Sequence, residues 1–271
     1  MKDSTTKALA LRPSYWASVS GGKDSLYMIN LILHNLDRYP LDGVVHFELE
    51  IDYPFIHDVI DYMESECKRF GIPFYRIKPR TTWMELYEKR GFPNQVKRWC
   101  NKEYKLDAKI QLEKFLQSKG CYLVQYVGFC ADEIKRTQSK TQTSKYTKNV
   151  YPLVEAGINE DTIHEWAKEQ PIFNDYYKYN RRCGCMWCPM ASFREHTYLL
   201  SYYPDKYTEM MKLALDSEKK REEKIGTPVS AWSSNPKYNT EYRDKRIREK
   251  YLPELIDEMS RDKGVVYVSN D

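Results

Sequence analysis

A short polar stretch between an apolar run and a helix-like segment carries the clearest chemical signal in the chain. Its residues are Ser20, Gly21, Gly22, Lys23, Asp24 and Ser25, and we call residues 20–25 the glycine turn. Glycines let backbone N–H groups approach an anion, a following helix offers unpaired donors and its positive dipole end, and Lys23 adds a full charge. The turn is therefore predicted to bind phosphate, although it matches neither the Walker A pattern nor the GxGxxG fingerprint. A plain turn with solvated side chains is the alternative.

Three cysteines lie close together further along the chain. Cys183, Cys185 and Cys188 form a CxCxxC group, and we call residues 183–188 the cysteine turn. Cytosolic thiols stay reduced, so a disulfide framework is not expected in the compartment that we predict below. Three soft ligands on one short turn suit either zinc or an iron–sulfur cluster. The alternative is that these cysteines only pack, as we expect for Cys67 and Cys121.

The elements that must position these groups follow from hydrophobic periodicity. Strands are predicted at residues 15–20, 44–51, 74–77 and 122–129, and helices at residues 26–36, 55–70 and 106–116. Alternating strands and helices require crossover connections and a mostly parallel sheet, which binds ligands at the carboxyl ends of its strands. The glycine turn follows the first strand and is therefore expected at such an end.

Charged residues after the fourth predicted strand are further candidates for this site. Asp132, Glu133 and Arg136 follow that strand at the end where a nucleotide is expected. Magnesium takes oxygen ligands and usually shares them with phosphates. Asp24, or an acid near Asp132, is therefore the candidate for placing Mg²⁺.

The remaining chain divides into a basic segment and a helical region. Residues 135–148 are predicted to form a surface loop with five basic residues and no acid: Lys135, Arg136, Lys140, Lys145 and Lys148. This segment is either a solvated loop or a contact for the phosphates of a polynucleotide. Asn159 is predicted to cap a helix that runs to Lys168. We predict a nucleotide-binding α/β domain over residues 1–157 and a helical, cysteine-bearing region over residues 158–271.

The charge and hydropathy of the chain indicate which partners and which compartment to expect. The chain has 271 residues, with 43 Lys plus Arg against 39 Asp plus Glu, a formal charge of +4 that permits an anionic partner without requiring one. No apolar run approaches the ~18 residues that span a bilayer, and the N-terminus lacks the apolar core of a signal peptide. We expect a cytoplasmic protein without a membrane partner.

Several motifs together resemble a known family. The glycine turn resembles the PP-loop of the adenine nucleotide α-hydrolase superfamily, whose members cleave ATP between the α and β phosphates and often adenylate a substrate. Other stretches are similar to the phosphoadenosine phosphosulfate (PAPS) reductase branch: Arg98-Trp99-Cys100-Asn101-Lys102 to its RWCTxxLK segment, residues 128–133 (GFCADE) to GIRADES, Tyr151-Pro152-Leu153, and residues 183–189 (CGCMWCP). The resemblance covers about residues 14–195. It implies an α/β fold with a doubly wound, mostly parallel sheet and helices on both faces.

The chain also departs from that branch. Cys130 stands where GIRADES has arginine and Ile134 where it has serine, so Arg136 is the candidate substitute for the missing phosphate or sulfate contact. PAPS reductases carry a degenerate SSSFG-type loop and a catalytic cysteine in an ECGxH tail. This sequence has an intact SGGKDS and no cysteine after Cys188. We therefore expect no PAPS reduction through the usual thiol.

The resemblance implies a site and an activity. Nucleotide contacts are expected from the glycine turn and from Gly128, Asp132, Glu133 and Arg136, with Lys23 and Asp24 in catalytic roles and ATP and Mg²⁺ as cofactors. Cys100 is the implied fourth ligand of the cysteine turn, and related sulfur-transferring enzymes favour a [4Fe-4S] cluster over Zn²⁺. The expected function is adenylating ATP pyrophosphatase chemistry linked to sulfur activation or transfer, with a metabolite or nucleic acid as acceptor. The alternatives are a PAPS or adenylylsulfate reductase, and a non-catalytic regulator that binds nucleotide or DNA.

Overall fold

The computed structural model describes residues 11–138 and 145–262. Two compact units divide the chain: residues Met1–Arg80 with Glu103–Asn174, and residues Thr81–Lys102 with Asp175–Asp271. The chain therefore leaves the first unit, contributes a short segment to the second, and returns. The predicted boundary after residue 157 differs from this division, which keeps residues 158–174 in the first unit. As functional domains, residues 1–157 and 158–271 remain a prediction.

The first unit is built on a parallel sheet of five strands in the order β3-β2-β1-β4-β5. The strands are β1 (Arg12–Val19), β2 (Gly43–Phe47), β3 (Phe74–Ile77), β4 (Cys121–Val127) and β5 (Thr147–Val150). Its helices are α1 (Lys23–Leu33), α2 (Pro54–Arg69), α4 (Leu106–Ser118), α5 (Ile134–Thr137), α6 (Pro152–Glu155) and α7 (Glu160–Lys168). The predicted α/β fold with a parallel sheet and flanking helices is confirmed.

Strand order determines where this unit can bind a ligand. The chain proceeds from β1 to β2 and β3 on one side of the sheet, then returns to place β4 and β5 on the other side of β1. The strand order therefore reverses between β1 and β4, and open α/β sheets bind ligands in the crevice at such a switch point. The glycine turn follows β1, and residues 128–133 follow β4.

Apolar side chains from sheet and helices form the core that holds this arrangement. One buried cluster joins Trp16, Val45 and Leu123 of the sheet to Leu112 and Leu116 of α4. Such burial contributes about 1.5 to 3 kcal/mol for each large side chain. This packing holds α4 against β1, β2 and β4.

The predicted strands and helices of the first unit are found with end shifts of a few residues, whereas β5 and the short helices α5 and α6 were not predicted. Residues 135–148 were predicted to form one loop, which is wrong at both ends. Lys135 and Arg136 lie in α5 and Lys148 lies in β5, whose Thr147 is buried. Lys140 lies outside the described residues. β5 has only four residues and a polar sequence, so it lacks the apolar run that identifies a buried strand.

The second unit is helical. Its helices are α3 (Trp83–Arg90), α8 (Tyr176–Tyr179), α9 (Phe193–Tyr202), α10 (Pro204–Ile225), α11 (Thr240–Arg246) and α12 (Leu252–Asp262). A π-helical segment, Ile247–Tyr251, joins α11 to α12. Another π-helical segment, Cys100–Lys105, spans the point where the chain returns to the first unit. Thr82 and Glu85 form a capping box at α3, which satisfies two backbone donors reciprocally. Trp83 lies in the aromatic core, with its ring centroid 4.9 Å from that of Trp187 and 5.4 Å from that of Trp99. No helix in the described part of the chain is long and apolar enough to cross a membrane.

Candidate functional site

The backbone of the glycine turn requires glycine at its second position. Gly21 has a φ of +76°, and a Cβ built there lies 2.6 Å from Ile56 Cγ2. An L side chain at this position meets both the strained left-handed region and a steric clash. Gly22 is the N-cap of α1 and supplies no side-chain cap. The first-turn amide donors of α1 are therefore not taken by a capping side chain, which is the arrangement that favours an anion.

The two serines of the turn brace its backbone. Ser25 Oγ donates to the Gly22 carbonyl at 2.9 Å and accepts from the Ser20 amide at 3.2 Å. Ser20 Oγ accepts from the Gly22 amide at 3.4 Å. These hydrogen bonds link both ends of the turn across Gly21, so the serines hold its shape before any ligand arrives.

Lys23 is the buried cation of the glycine turn and lies between two carboxylates. Its side chain is only 2% exposed, and its Nζ lies 2.8 Å from Asp24 Oδ1 and 3.3 Å from Glu160 Oε1. Glu160 is the first residue of α7 and was not among the predicted site residues. Sequence reasoning identified the cap at Asn159, but no local pattern indicates that the next residue reaches a lysine 137 positions earlier.

Burial makes Asp24 harder to ionise. Desolvation raises the pKa of Asp24 above its ordinary value, the adjacent Lys23 ammonium lowers it, and Glu133 and Glu160 raise it further. The net shift is upward because burial and the neighbouring acids outweigh the single cation. Lys23 therefore has two carboxylates beside it, which carry more negative charge than one ammonium neutralises.

The segment after β4 abuts the glycine turn. A Cβ built on Gly128 lies 3.2 Å from the Asp24 carbonyl oxygen and 3.3 Å from Ser25 Cα. A side chain at this position would push the neighbouring backbone away by a few tenths of an ångström, so glycine favours this close approach. Asp132 Oδ2 accepts a 2.7 Å hydrogen bond from the Glu160 amide, so this predicted nucleotide residue holds the beginning of α7.

The other two predicted nucleotide residues of this segment form an ion pair with each other. Arg136 pairs with Glu133, and its guanidinium lies 4.2 Å from the ring centroid of Phe129. Phe129 in turn stacks on Tyr151, with centroids 5.6 Å apart and planes 8° apart. Stacking and pairing fix the guanidinium while its side chain stays 57% exposed, so it remains accessible to an anion.

Cys130 is buried and its thiol is unreactive. It stands where the GIRADES motif has arginine. Desolvation, followed by the charges of Glu133, Asp24 and Asp132, raises the pKa of its thiol to about 11. A thiol with such a pKa is almost entirely protonated at neutral pH and is a poor nucleophile.

The cysteine turn lies in the second unit, as does Cys100. The Cys188 amide donates to the Cys185 carbonyl at 3.2 Å, which closes a tight turn around Trp187. Trp187 is buried and donates its indole N–H to the Lys206 carbonyl at 3.1 Å. Cys100 and Cys185 are buried, whereas Cys183 and Cys188 are half-buried. Among the described residues, no three His, Cys, Asp or Glu side chains form a group that could hold a metal ion.

A buried cation anchors the chain just after the cysteine turn. The Arg243 guanidinium lies between the rings of Phe193 and Trp232, with centroids at 4.6 and 4.7 Å. Its Nη2 donates to the Ala191 carbonyl at 2.6 Å, and its Nε donates to His196 Nδ1 at 3.0 Å. Because arginine only donates, His196 Nδ1 must accept and the ring proton lies on Nε2. Burial lowers the pKa of Arg243 to about 10.

Comparisons with known proteins give a sequence relative and several structural likenesses, of which two are described below. No protein-family model matches the chain. The uncharacterized protein MJ0973 of Methanocaldococcus jannaschii is 27% identical over 206 residues, which cover 71% of this chain and 45% of that protein. The chain thus spans less than half the length of this curated relative.

Both structural likenesses are distant. The U34-tRNA thiolase NcsA from Methanococcus maripaludis, solved with its [4Fe-4S] cluster, is 16% identical with a TM-score of 0.43, covering 89% of this chain and 73% of that chain. The PAPS reductase from Candida auris, solved as a phosphate complex, is 12% identical with a TM-score of 0.39, covering 61% of this chain and 77% of that chain.

Proposed function

We propose that this protein binds ATP at the glycine turn and cleaves it between the α and β phosphates. A nucleophilic oxygen of the acceptor attacks the α-phosphate, a P–O bond to that oxygen forms, and pyrophosphate leaves with the electron pair of the broken bond. The observation that carries the proposal is the complete SGGKDS turn at the switch point between β1 and β4. The adenylated acceptor would then be used for sulfur activation or transfer.

Each part of the glycine turn has a separate task in this proposal. The amides at the beginning of α1 bind the β- and γ-phosphates, which become the leaving pyrophosphate. Ser20 and Ser25 keep those amides in place through their hydrogen bonds across the turn. Lys23 offsets the charge that develops on the leaving group. Mg²⁺ is expected to arrive with ATP and to neutralise phosphate charge.

Replacing Lys23 tests the proposal most directly. Lys23→Ala is expected to lower ATP affinity or pyrophosphate release at least about tenfold, or about 1.4 kcal/mol, because it removes the cation beside the phosphates. Lys114→Ala is a matched control, since Lys114 is exposed on α4 of the same unit. Equal affinity and turnover in wild type and Lys23→Ala would refute the proposed role.

We also propose that Cys100, Cys183, Cys185 and Cys188 bind one metal centre, a [4Fe-4S] cluster or Zn²⁺. Their donor chemistry suits either, because thiolates are the usual ligands of both. Their described geometry does not gather three of them into a site, so no catalytic step is assigned to this centre. If bound, a cluster would supply sulfur or electron transfer, and zinc would supply structural cross-linking.

The acceptor is proposed to be a polynucleotide or a small anionic metabolite. Lys135, Arg136, Lys145 and Lys148 are exposed in the described parts of the basic segment. Binding to single-stranded RNA or DNA that weakens steadily as salt rises supports the polynucleotide, because phosphate contacts release counterions. Absence of such binding at low salt favours the metabolite.

Pyrophosphate release separates the proposal from its two rivals. A PAPS or adenylylsulfate reductase consumes a sulfonucleotide without releasing pyrophosphate, and a regulator binds nucleotide without turnover. The reductase also needs a reactive thiol. Cys130 is the cysteine next to the predicted nucleotide residues, and its raised pKa argues against that role.

A further inference from the structure

The two carboxylates in contact with Lys23 affect how the glycine turn would bind a phosphate. The Lys23 ammonium is buried, and its charge is balanced by contacts with Asp24 and Glu160. An incoming polyphosphate is repelled by both carboxylates and attracted by the same ammonium. The phosphates and the two carboxylates therefore compete for Lys23.

Glu160 is the partner that is able to leave. Asp24 makes the shorter contact with Lys23, at 2.8 Å, through a side chain with only two rotatable bonds. Glu160 reaches Lys23 from α7 through a longer side chain at 3.3 Å, and the two carboxylate side chains are about equally exposed, at 31% and 32%. Rotation of the Glu160 side chain toward solvent breaks the contact without moving the glycine turn.

The backbone of Glu160 is held in place independently of its side chain. Its amide donates to Asp132 Oδ2 at 2.7 Å, and Asn159 Oδ1 caps the same helix by accepting from the Thr162 amide at 2.8 Å. Residues 128–133, which abut the glycine turn, thus also fix the position from which Glu160 reaches Lys23. The carboxylate returns to Lys23 whenever the phosphate leaves.

We propose that Glu160 is a reversible partner of Lys23 that competes with the nucleotide phosphates. This inference rests on the proposed function and deepens it, because it names a residue that sets nucleotide affinity. Glu160 neutralises the buried ammonium in the empty protein and releases it to the phosphates on binding. Apparent affinity is reduced by the fraction of molecules in which Lys23 is held by Glu160.

Two substitutions separate this competition from simple repulsion. Glu160→Gln removes both the ion pair and the negative charge, whereas Glu160→Asp keeps the charge at the beginning of α7 but shortens the reach to Lys23. Both are expected to bind Mg-ATP about fivefold more tightly than wild type. Glu165→Gln is the matched control on α7, because Glu165 pairs with exposed Lys168 and is expected to change nothing.

The Lys23→Met background provides the decisive comparison. Without the ammonium there is no partner to release, so adding Glu160→Asp to Lys23→Met should leave Mg-ATP affinity unchanged. A double-mutant cycle of urea unfolding without nucleotide, using Lys23→Met and Glu160→Gln, should also give a favourable coupling between the two residues. This second measurement needs no activity and shows directly whether each variant is folded.

The outcomes distinguish this proposal from the proposed function. If no variant and not even wild type binds Mg-ATP, the proposed function fails and the competition fails with it. If wild type binds Mg-ATP but the Glu160 variants bind equally well, only the competition is refuted. Weaker binding by Glu160→Gln also overturns it, because Glu160 would then assist the nucleotide. Zero coupling in the nucleotide-free cycle refutes the pair itself.

Discussion

The glycine turn and the cysteine turn are both tight turns of about six residues, but they are supported in different ways. The glycine turn is stabilised by its own residues, because the Ser20 and Ser25 hydroxyls form hydrogen bonds with its backbone on both sides of Gly21. The cysteine turn is held by residues from elsewhere in the second unit. Trp187 donates to the Lys206 carbonyl, and Arg243 donates to the carbonyl of Ala191, just after the turn. A self-supported turn keeps its geometry without a ligand. A turn that depends on distant residues can use a bound metal as further support.

The largest expected effect concerns metal content, and it tests this difference at the cysteine turn. Anaerobically purified protein is expected to contain near-stoichiometric iron and sulfide, or zinc, and the Cys185→Ser, Cys188→Ser double variant is expected to lose it. Cys121→Ser is the matched control, because Cys121 lies at the beginning of β4. If the wild-type protein contains neither metal, the cysteines are packing residues and the prediction is wrong.

The next effect tests whether the cysteine turn depends on Arg243. Arg243→Met is expected to lower the free energy of unfolding by about 3 kcal/mol. The substitution removes the two hydrogen bonds that the guanidinium donates, so His196 Nδ1 and the Ala191 carbonyl are left buried without a donor. Urea unfolding measures the change. Arg248→Met is the control and should cost less than about 1 kcal/mol, since Arg248 is half exposed and pairs with Asp244. Equal costs would show that the buried arginine gives no special support.

A smaller effect is expected at the glycine turn. Gly21→Ala should destabilise by about 2 kcal/mol and abolish ATP binding, because it combines positive φ with a clash against Ile56. Gly71→Ala is a close control in the same unit: its φ is +70° but nothing lies within 4 Å of the added Cβ. It should cost only about 1 kcal/mol by urea unfolding. If the two alanine variants are equally stable, the turn has room that the geometry does not indicate.

The smallest expected effect is a dependence on pH at Asp24. Its pKa is raised in the folded protein, so the native state binds this proton more tightly than the unfolded chain, whose pKa is near 3.8. The cost of the buried carboxylate is therefore present at neutral pH and is relieved as the pH falls toward 4. Relative to Asp24→Asn, the wild-type free energy of unfolding should rise as the pH falls from 7 to 4. A relative loss of stability over that range would mean that the Lys23 pair outweighs burial.

The same contrast explains what the sequence could and could not predict. The α/β fold follows from alternating apolar runs, and Asn159 was correctly predicted to cap a helix because capping is local. The contact of Glu160 with Lys23 joins residues 137 positions apart, and no periodicity reports it. β5 was missed because a four-residue segment with three polar residues becomes a strand only by pairing with β4. Arg243 resembles any exposed helical arginine until its two aromatic neighbours are known.

The passage of the chain through the second unit and back has a consequence for synthesis on the ribosome. Residues Thr81–Lys102 belong to the second unit, whose other residues begin at Asp175. Trp83 lies in this early segment, while its neighbour Trp187 emerges about one hundred residues later. Domains usually fold as they emerge from the ribosome. The sheet can therefore assemble before the rest of the second unit has been synthesised, and until then the aromatic side chains of residues 81–102 lack the residues that bury them. A chaperone that holds exposed apolar segments would find its binding site in residues 81–102 of the nascent chain. No single cut separates the two units from each other, because each is built from two stretches of the sequence.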